Sequence, residues 1–88
     1  MKFYIDYGTG EPQCCEKEDL GDVMPIADQG VTLTHESIVI RNAKGRVLAR
    51  RDWHEDLAGI GNQSNPLRIG DGYYGEWRMP MYVSVDMD

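Results

Sequence analysis

The sequence predicts a small α+β fold: a two-layer sandwich in which an antiparallel or mixed sheet of about four to five strands packs against one kinked helix. Three observations predict it. Apolar and polar residues alternate near both ends of the chain, one segment repeats its apolar residues at helical spacing, and a glycine-closed hairpin lies between them. The length of 88 residues leaves room for one domain, residues 1–88.

The first strand is predicted at residues 2–7, where Phe3 and Ile5 alternate with polar residues. A helix is predicted at residues 16–29, because four apolar residues follow the spacing of one helix face: Leu20, Val23, Met24 and Ala27. Pro25 lacks a backbone donor and disfavours helical geometry before it. We therefore expect a kink there, or a first turn followed by a second helix.

A β-hairpin is the clearest local unit. Residues 37–41 and 46–51 flank a turn that Gly45 closes. Residues 52–65 are rich in Gly, Asn, Asp and Ser and predict a long loop. A short extended piece follows at residues 67–69, a glycine turn at 70–72 leads into residues 73–77, and a last strand is predicted at residues 79–85. Pro80 suits the last of them to a sheet edge.

The distribution of apolar residues and the first residues of the chain predict where in the cell the protein is found. No apolar run approaches the roughly 20 residues of a membrane span, and the first residues lack the apolar stretch of a signal peptide. We therefore expect a cytoplasmic protein of a bacterial host, without a membrane partner. Cys14 and Cys15 are adjacent, which makes them poor disulfide partners. A domain of this size buries only about 60% of its unfolded surface, so a homodimer would add stability.

The net charge of −6 is unevenly distributed. Residues 1–36 hold eight acids and two bases (−6), residues 37–51 hold five bases and no acid (+5), and residues 52–88 hold seven acids and two bases (−5). The basic island is either neutralised within the fold or forms a binding face on an acidic body.

The sequence contains no complete catalytic or metal-binding motif. His35 and His54 are the only histidines, and no nucleophile signature surrounds any candidate. Together with Cys14 and Cys15 they lack the paired spacing of zinc ligands. The glycines at 8–10 lack the lysine of a phosphate loop. We therefore expect no enzyme activity, no cofactor and no metal.

One group of candidate binding residues combines basic side chains with aromatic ones. It comprises Arg50, Arg51, Trp53, Tyr73, Tyr74 and Trp77. Arginine binds phosphate, and aromatic rings stack on bases or anchor protein interfaces. Alternatively Trp53 and Trp77 fill the core of a chain that has one Phe. Tyr74 and the two arginines are expected on an exposed face.

Four stretches carry a resemblance. They are Lys2-Phe3-Tyr4-Ile5-Asp6-Tyr7-Gly8-Thr9-Gly10, Ile26-Ala27-Asp28-Gln29-Gly30, Ile38-Val39-Ile40 leading to Val47-Leu48-Ala49-Arg50-Arg51-Asp52-Trp53, and Asn65-Pro66-Leu67-Arg68-Ile69-Gly70-Asp71-Gly72-Tyr73-Tyr74-Gly75-Glu76-Trp77. Together they are similar to short uncharacterised proteins of gut Firmicutes and of their phages or mobile elements. That group has no assigned activity, so no functional residue carries over. Pro25 and the strand after Trp77 depart from its pattern. In size and charge the chain also resembles phage anti-defence proteins, including anti-CRISPR inhibitors.

The first hypothesis is a non-enzymatic interaction protein, a phage-derived inhibitor of a host defence complex that handles nucleic acid, such as a CRISPR effector. Its acidic side chains would cover a basic nucleic-acid channel. The predicted acidic face comprises Glu16, Glu18, Asp19, Asp22, Glu55 and Asp56. Trp53, Tyr73 and Tyr74 would anchor the partner.

The alternative is a sponge or sensor for a nucleotide signal. It would use Arg50, Arg51 and residues 73–77, with a pocket between two protomers. Direct DNA binding by the basic hairpin is a third hypothesis, which the net charge of −6 disfavours.

Overall fold

The computed structural model describes residues 1–30 and 34–80. Its elements in chain order are β1 Lys2–Asp6, β2 Gln13–Glu16, α1 Leu20–Gln29, β3 Ile38–Asn42, β4 Val47–Arg51, β5 Trp53–His54, a 3-10 helix Ile60–Asn62, β6 Leu67–Ile69 and β7 Gly72–Tyr74. The strands form two antiparallel sheets, of order β2-β1-β3-β4 and β5-β7-β6. The predicted α+β class is confirmed, with the strands divided between two sheets.

The sequence pattern misses β2. Its residues, Gln13–Glu16, show no apolar alternation, yet they pair with β1 after the chain reverses through Gly8 and Gly10. Both glycines adopt positive φ, 90° and 72°. Because Glu16 belongs to this strand, the helix begins at Leu20 and not at the predicted residue 16.

Helix α1 continues through Pro25. The proline leaves the carbonyl of Gly21 without its helical hydrogen bond. Val23 and Ala27 are fully buried. They pack against the inward face of the four-stranded sheet, and the core comprises Phe3, Ile5, Val23, Ala27, Ile38, Ile40, Ala49 and Tyr74.

The predicted hairpin is confirmed as β3 and β4. Gly45 has φ 86° in its turn, and the side chain of Asn42 accepts hydrogen bonds from the backbone N–H groups of Lys44 and Arg46. Local side-chain hydrogen bonds of this kind stabilise tight turns.

The second half of the chain is more ordered than a long loop. β5 and the 3-10 helix lie within the predicted loop, and β6 confirms the predicted strand at 67–69. Of the predicted strand at 79–85, residues 81–85 lie outside the described residues, and Met79 and Pro80 are not in a strand. No helix in the described ranges is long and apolar enough to cross a bilayer.

The phenol of Tyr7 gives a pH-dependent prediction. Burial raises its pKa above the ordinary 10.0, and the nearby Cys15 and Asp28 add to the rise. The folded state therefore holds this proton more tightly than the unfolded state, so its contribution to stability is complete below about pH 10 and is lost as the pH rises through the folded pKa. We expect the free energy of unfolding of Tyr7→Phe to fall less steeply above pH 10.0 than that of the natural chain. Parallel urea titrations test this, and identical slopes would contradict it.

Candidate protein-binding site

An acidic groove of about 490 Å³ lies between the end of β2 and the flank of α1. Its lining comprises Met1, Glu16, Lys17, Glu18, Asp22 and Ile26, and we call it the acidic groove. Glu16 ends β2, Glu18 lies in the link and Asp22 lies in the first turn of α1. The short connection from strand to helix therefore places three carboxylates along one groove, and Met1 and Ile26 supply its apolar side chains.

The groove holds three carboxylates and two positive groups, the side chain of Lys17 and the amino group of Met1. Glu16 accepts a hydrogen bond from the amino group of Met1 at 3.0 Å, an exposed pair that water screens. Within residues 1–30 and 34–80, no ion pair or hydrogen bond engages the carboxylates of Glu18 and Asp22. A basic partner would therefore meet charges that the fold has not already paired.

The predicted acidic face is not one surface. Asp19 occupies the N-cap position of α1 without capping it through its side chain, and it does not line the groove. Glu55 lines a different cleft, of about 450 Å³, together with Glu36 and Asp71. Asp56 accepts a hydrogen bond from the backbone N–H of Ala58 at 3.0 Å. Its carboxylate is therefore engaged within its own loop. Of the six predicted residues, Glu16, Glu18 and Asp22 line the acidic groove.

The aromatic anchors are mostly inside the fold. Tyr73 and Tyr74 are 2% and 0% exposed, because β7 is the middle strand of the three-stranded sheet. The expectation that Tyr74 lies on an exposed face is wrong. Its hydroxyl is 3.2 Å from the backbone N–H of Glu36, which donates to it. Trp53 is half-buried, and the ring of His35 stacks on it at 4.6 Å and 6°.

Arg51 is also buried, at 4% exposure, so the expectation that it lies on an exposed face is wrong. Its Nε donates to the carbonyl of Gly75 at 2.6 Å, Nη1 to Asp28 Oδ1 at 2.7 Å, and Nη2 to the carbonyl of Asn65 at 2.5 Å. The indole of Trp77 donates to the same oxygen of Asp28 at 3.2 Å. Arg51 thus joins β4 to α1 and to the segments that flank β6 and β7, and all of these hydrogen bonds of its guanidinium are made within the protein.

The basic island is largely neutralised by the fold. Arg50, whose side chain is 56% exposed, pairs with Asp52 at 2.6 Å. Arg41 pairs with Asp6 at 3.1 Å, and Arg51 pairs with Asp28 as described. These pairs support the interpretation that the basic island is neutralised within the fold.

A cleft of about 650 Å³ lies beside Arg51. It is lined by Asp28, Arg51, Ser64, Asn65, Pro66, Leu67, Glu76 and Trp77. Two carboxylates in its wall would repel a phosphate, and its one arginine is already paired. The geometry therefore gives no support to a nucleotide pocket built on Arg50, Arg51 and the residues after them. Sequence reasoning missed Asp28 and Glu76, since isolated acids carry no local motif.

The described residues include no group of three or more His, Cys, Asp or Glu side chains that could hold a metal ion. Comparisons with protein-family models, curated proteins and solved structures found no match for the chain.

Proposed function

We propose that the chain is a non-enzymatic interaction protein that binds a basic protein surface through the acidic groove. The observation that carries the proposal is the convergence of Glu16, Glu18 and Asp22 on one groove, with two of the carboxylates unpaired in the described fold. A surface that binds nucleic acid is the basic surface to which such a groove is most complementary. Covering that surface would inhibit the partner.

The class of partner follows from charge and from the resemblance together. A net charge of −6 attracts a positively charged channel over a distance of about 10 Å at ordinary salt. The resemblance to phage-borne proteins makes a host defence complex, with a CRISPR effector as its first example, the target class of the proposal.

The test is a pulldown from bacterial lysate with three tagged proteins. We expect the natural chain to retain a nucleic-acid-binding protein. We expect Glu16→Lys/Glu18→Lys/Asp22→Lys to retain at least about tenfold less of it, because three attractive contacts become repulsive. Quantitative mass spectrometry of the retained proteins measures the ratio.

The matched control is Glu36→Lys/Glu55→Lys/Asp71→Lys, which makes the same change in net charge in the other acidic cleft. We expect it to retain the partner nearly as well as the natural chain. Circular dichroism verifies that all three proteins are folded. Equal loss in both triple variants would show that net charge alone drives binding, and equal retention in all three would refute the proposal.

A further inference from the structure

Strand β2 lies at one edge of the four-stranded sheet, beside the acidic groove. A sheet edge presents backbone N–H and C=O groups that another extended chain can pair with. The pairing pattern of the sheet shows which groups of β2 point outward.

The backbone N–H of Lys17 donates to the carbonyl of Met1 at 3.1 Å, and the register pairs Phe3 with Cys15. Hydrogen-bonded and non-hydrogen-bonded pairs alternate in an antiparallel ladder. Cys15 and Gln13 therefore turn their backbone groups inward, toward β1. Cys14 and Glu16 turn theirs outward, away from the sheet.

The opposite edge of the same sheet shows what such outward groups can bind. There the outward residue of β4 is Arg50, and it exchanges both backbone hydrogen bonds with Arg78, at 2.9 and 2.8 Å. One edge of the sheet is thus already paired. Within residues 1–30 and 34–80 the outward backbone groups of Cys14 and Glu16 have no such partner.

We propose that an extended basic segment of a partner protein adds to β2 as a fifth strand of this sheet. The inference rests on the proposed function and specifies how the partner is held. Backbone hydrogen bonds to Cys14 and Glu16 would fix the segment, and its basic side chains would reach Glu16 and Glu18 in the acidic groove. A second copy of the chain is the less favourable occupant, because antiparallel pairing of two β2 strands would bring two acidic grooves together.

A labelled peptide of about ten residues that alternates Lys and Val, the length of a long strand, is the probe. A peptide that alternates Lys and Pro is its control, because it carries the same charge but lacks half of the donors of a strand. We expect fluorescence anisotropy to show tighter binding of the Lys-Val peptide. Addition of that peptide is also expected to slow amide exchange at Cys14 and Glu16 while leaving Cys15 unchanged.

Cys14→Pro removes one outward N–H without touching the ladder to β1, a position where edge strands tolerate proline. Cys14→Ala removes the same side chain and keeps the N–H. We expect Cys14→Pro to bind the Lys-Val peptide at least about fivefold more weakly than Cys14→Ala. Equal affinities of the two variants, or no slowing of amide exchange in the natural chain, would overturn the inference.

The remaining outcomes separate this inference from the proposed function. Loss of peptide binding in the groove triple variant, with full binding by Cys14→Pro, would overturn strand addition and leave the proposed function standing. Loss in Cys14→Pro alone would support strand addition and count against the acidic groove. A dimer in sedimentation experiments that Cys14→Pro dissociates would identify a second copy as the occupant and overturn the basic segment.

Discussion

Replacing Arg51 by alanine is expected to destabilise the fold by about 2–3 kcal/mol, less than the roughly 3–5 kcal/mol typical of a fully buried ion pair, because the side chain of its partner Asp28 is 35% exposed. The guanidinium is 4% exposed and donates to three acceptors on separate segments. Its removal leaves the carbonyls of Gly75 and Asn65 without this donor and leaves a cavity beside Trp77. A small domain has a total stability of about 5 kcal/mol, so a loss of this size removes about half of it and moves the urea midpoint to a clearly lower concentration. Urea denaturation followed by tryptophan fluorescence measures the change.

The control is the neighbouring arginine. Arg50→Ala removes the same side chain from the next position of β4, where it is 56% exposed and pairs with Asp52 near solvent. Exposed pairs contribute little, so a loss of less than about 1 kcal/mol is expected. Similar stability of the two variants would show that the Arg51 contacts do not hold the sheets together.

The elements with strong local signals were predictable. The hairpin at β3 and β4 follows from apolar alternation on either side of a glycine turn, and β1 follows from its alternation alone. β2 was not predictable, because Gln13–Glu16 becomes a strand through pairing with β1 and not through its own pattern. Pairing between distant segments also determines that the strands form two sheets, and this division has no signal in the local sequence.

Dependence on contacts between distant segments also explains which site residues could be predicted and which could not. Glu16, Glu18 and Asp22 are close in sequence, and their convergence could be anticipated. The burial of Arg51 depends on Asp28, 23 residues away, and on carbonyls in two further segments. Arginine is usually exposed in folded proteins, so a sequence gives no reason to expect a buried one. Only the tertiary contacts of Arg51 show that it is internal.

Gly72→Ala is expected to destabilise the protein by at least about 2 kcal/mol, the range found when a well-packed core is overfilled. A Cβ at this position would lie 2.5 Å from the Cη2 atom of Trp53 and 2.6 Å from the backbone oxygen of His54. The indole is held by the stacked ring of His35, and the backbone of His54 is fixed because it pairs with Tyr73 in the sheet. The backbone oxygen of His54 cannot move away without disturbing the pairing of β5 with β7, and the indole of Trp53 can make room only by leaving its contact with β7.

Gly72 does not have positive φ, so alanine meets no backbone penalty there and the expected loss is steric alone. Gly61→Ala is the matched control, because its φ is likewise not positive and a Cβ there would meet open space. That variant should be within about 0.5 kcal/mol of the natural chain, since surface substitutions rarely cost more. Thermal unfolding of both variants measures the difference. A stable Gly72→Ala protein would show that Trp53 can leave its place against β7, and the indole would then be free to contact a partner.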